Sequence, residues 1–166
     1  MQTITPEQAI YDSKPDKPVF VISSLNKKPN GMICSWWSKI SDDPAIIAVS
    51  LWKKGNTHKL IIKSKEFVVA VPNKSLEKEL MFFGSNHGHK IDKFEKTKIK
   101  SEKAKFVDVP LISDATFNFE CKLIKKLVFG EMVVFFGKVA AAYQNKKKKV
   151  LVHTRTANNK RVFEEI

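Results

Sequence analysis

Three short segments of this chain carry side chains whose types and spacing suit chemistry. The first is Asn30-Gly31-Met32-Ile33-Cys34-Ser35-Trp36-Trp37-Ser38. On one continuous strand, Met32, Cys34, Trp36 and Ser38 share a face, and Ile33, Ser35 and Trp37 share the other. One of the two adjacent tryptophans can then fill a core while its neighbour meets a ligand. The second is Ser50-Leu51-Trp52-Lys53-Lys54-Gly55-Asn56-Thr57-His58, a strand end, a basic turn and a hydroxyl residue opening a helix. Backbone N–H groups at a helix start, with the positive end of the dipole, form a natural phosphate pocket. The third runs from Ser85 to Asp92-Lys93-Phe94, where Lys93 can return to such a phosphate. Each segment alone also has a plainer reading: core aromatics, a helix cap, a solvated lysine.

Other chemistries find little support. The chain has no Gly-rich dinucleotide fingerprint, no phosphate-binding loop ending in Gly-Lys-Ser/Thr, and no paired metal cysteines. His87-Gly88-His89 resembles half of a metal site but has no third ligand placed beside it, so no metal is expected. Cys34 with His58 suggests a nucleophile, against which stands the commoner fate of such a thiol, inert burial. No side chain is assigned a catalytic role, and nothing points to a hydrolase.

These segments must be positioned by a mainly β domain. Val19–Ser24 is an apolar run closed by a turn over Asn26–Gly31, followed by β-like Met32–Ile40 and Ala45–Trp52. Runs joined by Pro/Asn/Gly turns read as hairpins, here a three-strand meander. Asn56 or Thr57 can cap a short helix reaching about Lys63. Phe67–Val71 is again a strand. Asn73 or Ser75 caps a second helix bearing Leu76, Leu80 and Phe83 on one face. From Gly84 to about Lys105 the chain is polar and lysine-rich, with a short helix near Ile91–Phe94. Phe117 to Leu123 alternates, with Asn118, Glu120 and Lys122 on a wet face. Met132–Ala142 is apolar on both faces, as in a central strand or one covered by a second subunit. A last strand is expected at Val150–Thr154, and a closed barrel is the usual way to remove the edges of so many strands.

At 166 residues, 43% of them apolar and twelve of them Phe, the chain has the length and bulk for one domain with one real core. No apolar run is long enough to span a bilayer, and Met1–Ile10 lacks the basic region of a secretory signal. Two cysteines in apolar stretches suit a reducing, cytoplasmic setting. The net charge of +13 invites a nucleic-acid reading, but only Arg155 and Arg161 are arginine. Lysine is a point charge without the planar fork that reads bases, so no specific nucleic-acid partner is expected.

Taken in order, the segments resemble the flavin reductase-like family of FMN-binding split β-barrels, which includes flavoredoxins and ferric reductases. The residues that carry the resemblance are Asn30-Gly31-Met32 with Ser35-Trp36, Asp43-Pro44, Thr57-His58, Glu66-Phe67-Val68-Val69-Ala70-Val71-Pro72, Ser85 and Asp92-Lys93-Phe94. Pro110-Leu111-Ile112, Phe119-Glu120-Cys121 and Phe136-Gly137-Lys138-Val139 extend it, so that it covers about Pro18 to Ala142. The resemblance implies a single split-barrel domain, a homodimer with FMN at the seam, and electron flow from NADH or NADPH to a flavin, ferric iron or protein. A non-catalytic FMN-binding carrier or sensor is the alternative. It further implies that Asn30, Ile33, Cys34, Ser35 and Trp36 border the isoalloxazine through backbone groups and the Trp36 ring. Thr57 would take the phosphate, with Lys93 as counter-charge. The chain departs from the pattern at Met132, where the family often has His, at Ser85-Asn86-His87-Gly88-His89 in place of Ser-Gly, and after Lys149.

Overall fold

The computed structural model describes residues 3–146, 148–157 and 160–166. A helix, α1 (Pro6–Asp12), is capped by Thr5 and leads to the first hairpin, β1 (Val19–Leu25) and β2 (Lys28–Cys34). The turn is only Asn26-Lys27, both residues left-handed at φ 52° and 60°, the geometry that matches the twist of paired strands. Leu25 therefore pairs with Lys28, and Pro29, Asn30 and Gly31 are strand residues rather than the turn expected of them. Pro29 is tolerated because β2 is an edge strand.

A second hairpin follows, β3 (Trp37–Asp42) with β4 (Ala45–Trp52). Met32–Ile40 is thus two strands broken at Ser35-Trp36, and no meander forms. The break has a local cause. The Trp36 carbonyl accepts the Ser50 N–H at 2.8 Å, and the Cys34 thiol lies 3.2 Å from the same carbonyl and 3.4 Å from that of Ser50. Alternation resets at this corner, so Cys34 and Trp37 both pack on the same core and Trp36 is left half-exposed.

Next come α2 (Asn56–Ser64), β5 (Glu66–Val71), a 3-10 turn (Lys74–Leu76) running into α3 (Glu77–Ser85), and α4 (Lys93–Thr97). Two-residue strands β6 (Ser101–Glu102) and β7 (Leu111–Ile112) pair across the following loop. The long hairpin β8 (Phe117–Phe129) and β9 (Met132–Gln144) precedes a C-terminal hairpin, β10 (Leu151–Ala157) with β11 (Lys160–Glu165). The sequence reading has one strand in this tail, not two. Of the Lys146–Lys149 run, Lys147 lies outside the described residues.

The seven-stranded antiparallel sheet has the order β2-β1-β5-β8-β9-β4-β3. Its first and last strands are consecutive in the chain, joined by Ser35-Trp36 alone. The sheet must curl until its two edges meet at that corner. It does not close: among the described residues no ladder joins β2 to β3. The Trp36 carbonyl is committed to β4, so the chain passes from one edge to the other instead of reversing into a hairpin. The closed barrel expected on general grounds is therefore a split one.

Apolar residues fill both faces of the central strands. Val19, Val21, Phe67, Val69, Val133 and Phe135 point inward, with Ile61 of α2 against them. Phe20, Ile22, Val68 and Ala70 point outward and are covered by Leu80 and Phe83 of α3, by the loop before β8, and by Leu151 and Phe163 of the last hairpin.

Of the expected wet face of β8 only Lys122 is exposed. Asn118 and Glu120 are buried because the loop after α4 crosses them and needs partners for its backbone. Asn118 pairs with both the N–H and the carbonyl of Ile112. Glu120 accepts the N–H groups of Lys105, Phe106 and Val107 at 3.0, 2.6 and 3.1 Å, and the Tyr143 hydroxyl at 2.6 Å. Burial pushes this carboxyl up, but Tyr143 and the three amides outweigh it and hold the group below the usual carboxylate range. A carboxylate so depressed stabilises the fold above the unfolded-chain pKa, and that contribution is lost as pH falls through the folded value. Glu120→Gln should destabilise the protein by roughly 2–4 kcal/mol at neutral pH, and by less in acid, as read from urea unfolding at the two pH values.

Candidate functional site

The basic turn after β4 leads into α2 through Gly55, which occupies the cap position with no side-chain hydrogen bond. The reading of Asn56 or Thr57 as the cap is corrected accordingly: both lie inside the helix. The first-turn N–H groups of α2 are left without a capping side chain. Thr57 is buried, and its hydroxyl accepts the Asn30 carboxamide N–H at 3.2 Å. This contact ties the helix start to β2.

Lys93 opens α4 just after Asp92, which caps that helix on the Glu95 N–H. Its ammonium is buried and donates to the carbonyls of Gly31 at 2.9 Å and Phe83 at 2.7 Å. Burial pulls this lysine down to about 8. An ammonium has three N–H bonds, so one remains for a further acceptor. A Cβ on Gly31 would press on the Phe83 ring at 3.0 Å, so glycine permits the approach of β2 to α3 that brings the lysine to its carbonyl.

Asn30, Ile33, Thr57 and Lys93 line one cleft of about 350 Å³, together with Trp52 and Phe83. Four of the seven residues expected at a cofactor are thereby brought together. Ser35 and Trp36 line an adjoining cleft of about 180 Å³, which shares Ile33 as its wall. Cys34 stands apart: its side chain is in the inner core and burial pushes its thiol up to about 12, so only its backbone can meet a ligand. His58 is unsuited to activate it. Burial, then Lys126 and Lys59, push that imidazole down, and its Nδ1 is buried without a partner.

Trp52 and Lys54 of the second segment border the larger cleft together with Phe83 and Gly84, to which the sequence gives no site role, and Arg161 and Phe163 of β11 border the smaller. The adjacent apolar pair Val162-Phe163 between charged residues is the available signal for β11, and it is too short to show where the hairpin docks.

A split antiparallel barrel with a helix start and a buried lysine converging on one cleft has the architecture of a flavin-binding split barrel. The family comparison agrees: the model of the flavin reductase like domain matches residues 14–160, and the chain belongs to that family. Its function is accordingly flavin-linked redox chemistry. The chain is 34% identical over 120 residues to an uncharacterized protein of Archaeoglobus fulgidus, covering 72% of this chain and 68% of the relative. It is 30% identical over 134 residues to the ferric-chelate reductase (NAD(P)H) of the same organism, covering 80% and 78%. Its fold is that of the flavoredoxin of Methanosarcina acetivorans, with a TM-score of 0.85 over 100% of this chain and 91% of the other, at 22% identity. No helix among the described residues is long and apolar enough to cross a membrane.

The depressed Lys93 has a stability signature. In the folded, ligand-free protein its proton leaves near pH 8, whereas the unfolded chain keeps it to the ordinary lysine value. The unfolded state therefore binds more protons in between, and stability rises with pH across that window. Urea unfolding at about pH 7 and about pH 9.5 should show that rise in the wild type relative to Lys93→Met.

Proposed function

We propose that the chain binds one flavin mononucleotide and moves electrons through it from NADH or NADPH to a flavin, ferric iron or protein acceptor. The observation that carries this reading is the convergence of Thr57, the uncapped start of α2 and the buried Lys93 ammonium on one cleft whose lining contains no carboxylate. Backbone N–H groups, a hydroxyl and one free ammonium N–H fit a phosphate monoester. Beyond the Gly31 carbonyl that Lys93 takes, the outer edge of β2 carries backbone groups with no neighbouring strand, which fits the polar rim of a flavin ring.

When bound, the flavin supplies the hydride and electron chemistry, and the chain supplies binding and orientation. Thr57, the α2 amides and Lys93 hold the phosphate. Asn30, fixed by Thr57, sets the start of β2 beside it. Trp36, 52% exposed at the corner between the sheet edges, shields the ring from water on one side. The name of the ferric-chelate reductase relative supports the nicotinamide donor and the ferric acceptor for this chain.

The active form in this reading is a homodimer. Phe129, Met132 and Trp52 lie in one row across β8, β9 and β4, and Phe129 and Trp52 are 63% and 46% exposed. Trp52 also lines the larger cleft, so a second copy covering this row would border the flavin. Cys34 and Cys121 are free buried thiols, in keeping with a cytoplasmic setting.

Calorimetry should show FMN binding more tightly than riboflavin. Thr57→Ala should weaken FMN by about tenfold or more while leaving riboflavin unchanged, as expected for one hydrogen bond to a charged group. Equal binding of both flavins would remove the phosphate assignment. Anaerobic addition of NADH or NADPH should bleach the bound flavin, and a failure to bleach would leave a carrier without turnover. Phe129→Lys should give a monomer mass by light scattering and weaken flavin binding.

A further inference from the structure

The larger cleft contains more positive charge than Thr57 and Lys93 account for. Its ionisable lining residues are Lys54, His87, His89 and Lys93, all of them bases. The two histidines belong to the segment in which this chain departs from its family, and the proposed reaction gives them no role.

Their placement is specific. Gly88 lies flat on the Asn30 side chain: a Cβ there would overlap the carboxamide. That carboxamide is the one that donates to Thr57. The segment from His87 to His89 is therefore a strap laid on the Asn30 side chain, with the two histidines flanking the glycine in sequence. The rings are 5.7 Å apart between centroids, and both side chains are exposed. Asn86 anchors the near end, its amide donating to the Phe82 carbonyl at 2.9 Å. At the far end the Lys90 N–H returns to the His87 carbonyl at 2.9 Å. The charged groups around the strap are Lys54 before α2, Lys93 on α4 and the flanking Lys90. Asp92 is turned away to cap α4. No carboxylate of the cleft lining competes for a protonated imidazole.

Histidine changes charge between about pH 5 and 8, and a charged imidazole donates from both ring nitrogens. We propose that His87 and His89 form a second, proton-linked arm of the phosphate site, so that flavin monophosphate is taken up together with protons and held less tightly as the pH rises. This rests on the phosphate reading of the cleft. The strap thereby acts on retention of the phosphorylated flavin and is indifferent to the unphosphorylated one.

The test is calorimetric titration of flavin-stripped protein with FMN and with riboflavin from about pH 6 to about pH 8, in buffers of different ionisation enthalpy. Wild type and a His87→Gln/His89→Gln variant are compared. Their affinity ratio cancels the phosphate's own ionisation near pH ~6 and the titration of Lys93. Expected is a wild-type advantage of about tenfold or more for FMN at the acid end, the effect of one charge-assisted hydrogen bond. It should shrink toward unity at the alkaline end, with more protons taken up on binding by the wild type than by the variant, in which only Lys93 and the phosphate titrate. Riboflavin should bind both proteins alike, which also reports that the variant is folded. An FMN ratio that stays constant with pH, while FMN still outbinds riboflavin, overturns the histidine arm and leaves the phosphate site standing. Equal binding of FMN and riboflavin to the wild type at every pH overturns both.

Discussion

Two residues, Ser35 and Trp36, join the first and last strands of a seven-stranded sheet, and much of the molecule follows from that short link. A sheet whose edges are tied together at one point has to curl, and a curled sheet has an inside to be filled. Val19, Val21, Val69 and Phe135 fill it. Curling also turns the outer faces of β1 and β5 toward α3 and the C-terminal hairpin, so these strands are buried on both sides. The same corner leaves β2 as an unladdered edge next to the start of α2. The open backbone that a flavin needs and the helix start that a phosphate needs are thus set side by side by one covalent constraint.

Two buried charges then fix what the sheet alone leaves loose. Glu120 gathers three loop amides and the Tyr143 hydroxyl onto β8. Lys93 gathers the carbonyls of β2 and α3. Glu120 satisfies loop N–H groups that otherwise have no partner, and Lys93 donates to carbonyls at the open edge of β2 and in the last turn of α3. They differ in what remains. The carboxylate is fully engaged and structural, whereas the ammonium keeps a bond in reserve on the cleft side. The difference is one of valence and position, and it separates a brace from a binding group.

Much of the architecture was legible in the sequence because strand periodicity and helix faces are local. Ala45–Trp52, Phe67–Val71 and the Leu76, Leu80, Phe83 face appear as read. Three features were not legible, for physical reasons. The break at Ser35-Trp36 depends on Ser50, which is distant in the chain and supplies the hydrogen bond that turns it. The burial of Asn118 and Glu120 depends on a loop whose path no periodicity encodes, and polar alternation alone reads as exposure. The docking of β11 depends on Phe163 finding the outer core, a tertiary fact. At the site, Thr57 and Lys93 could be paired only through an ordered set of family residues. Their meeting on one cleft, and the lying of Gly88 on Asn30, are tertiary facts that no local pattern encodes.

The order of strands also governs the order of assembly. The hairpins β1–β2, β3–β4 and β8–β9 pair neighbours in the chain and form cheaply, whereas β1–β5, β5–β8 and β4–β9 close long loops. Two of these three non-local ladders attach to the β8–β9 hairpin, and everything before Phe117 leaves the ribosome first. The nascent N-terminal hairpins must therefore wait with open edges until the hairpin that unites them is synthesised. During that interval an excess of lysine, carried as a net charge of +13 in the finished chain, opposes edge-to-edge association with other nascent copies.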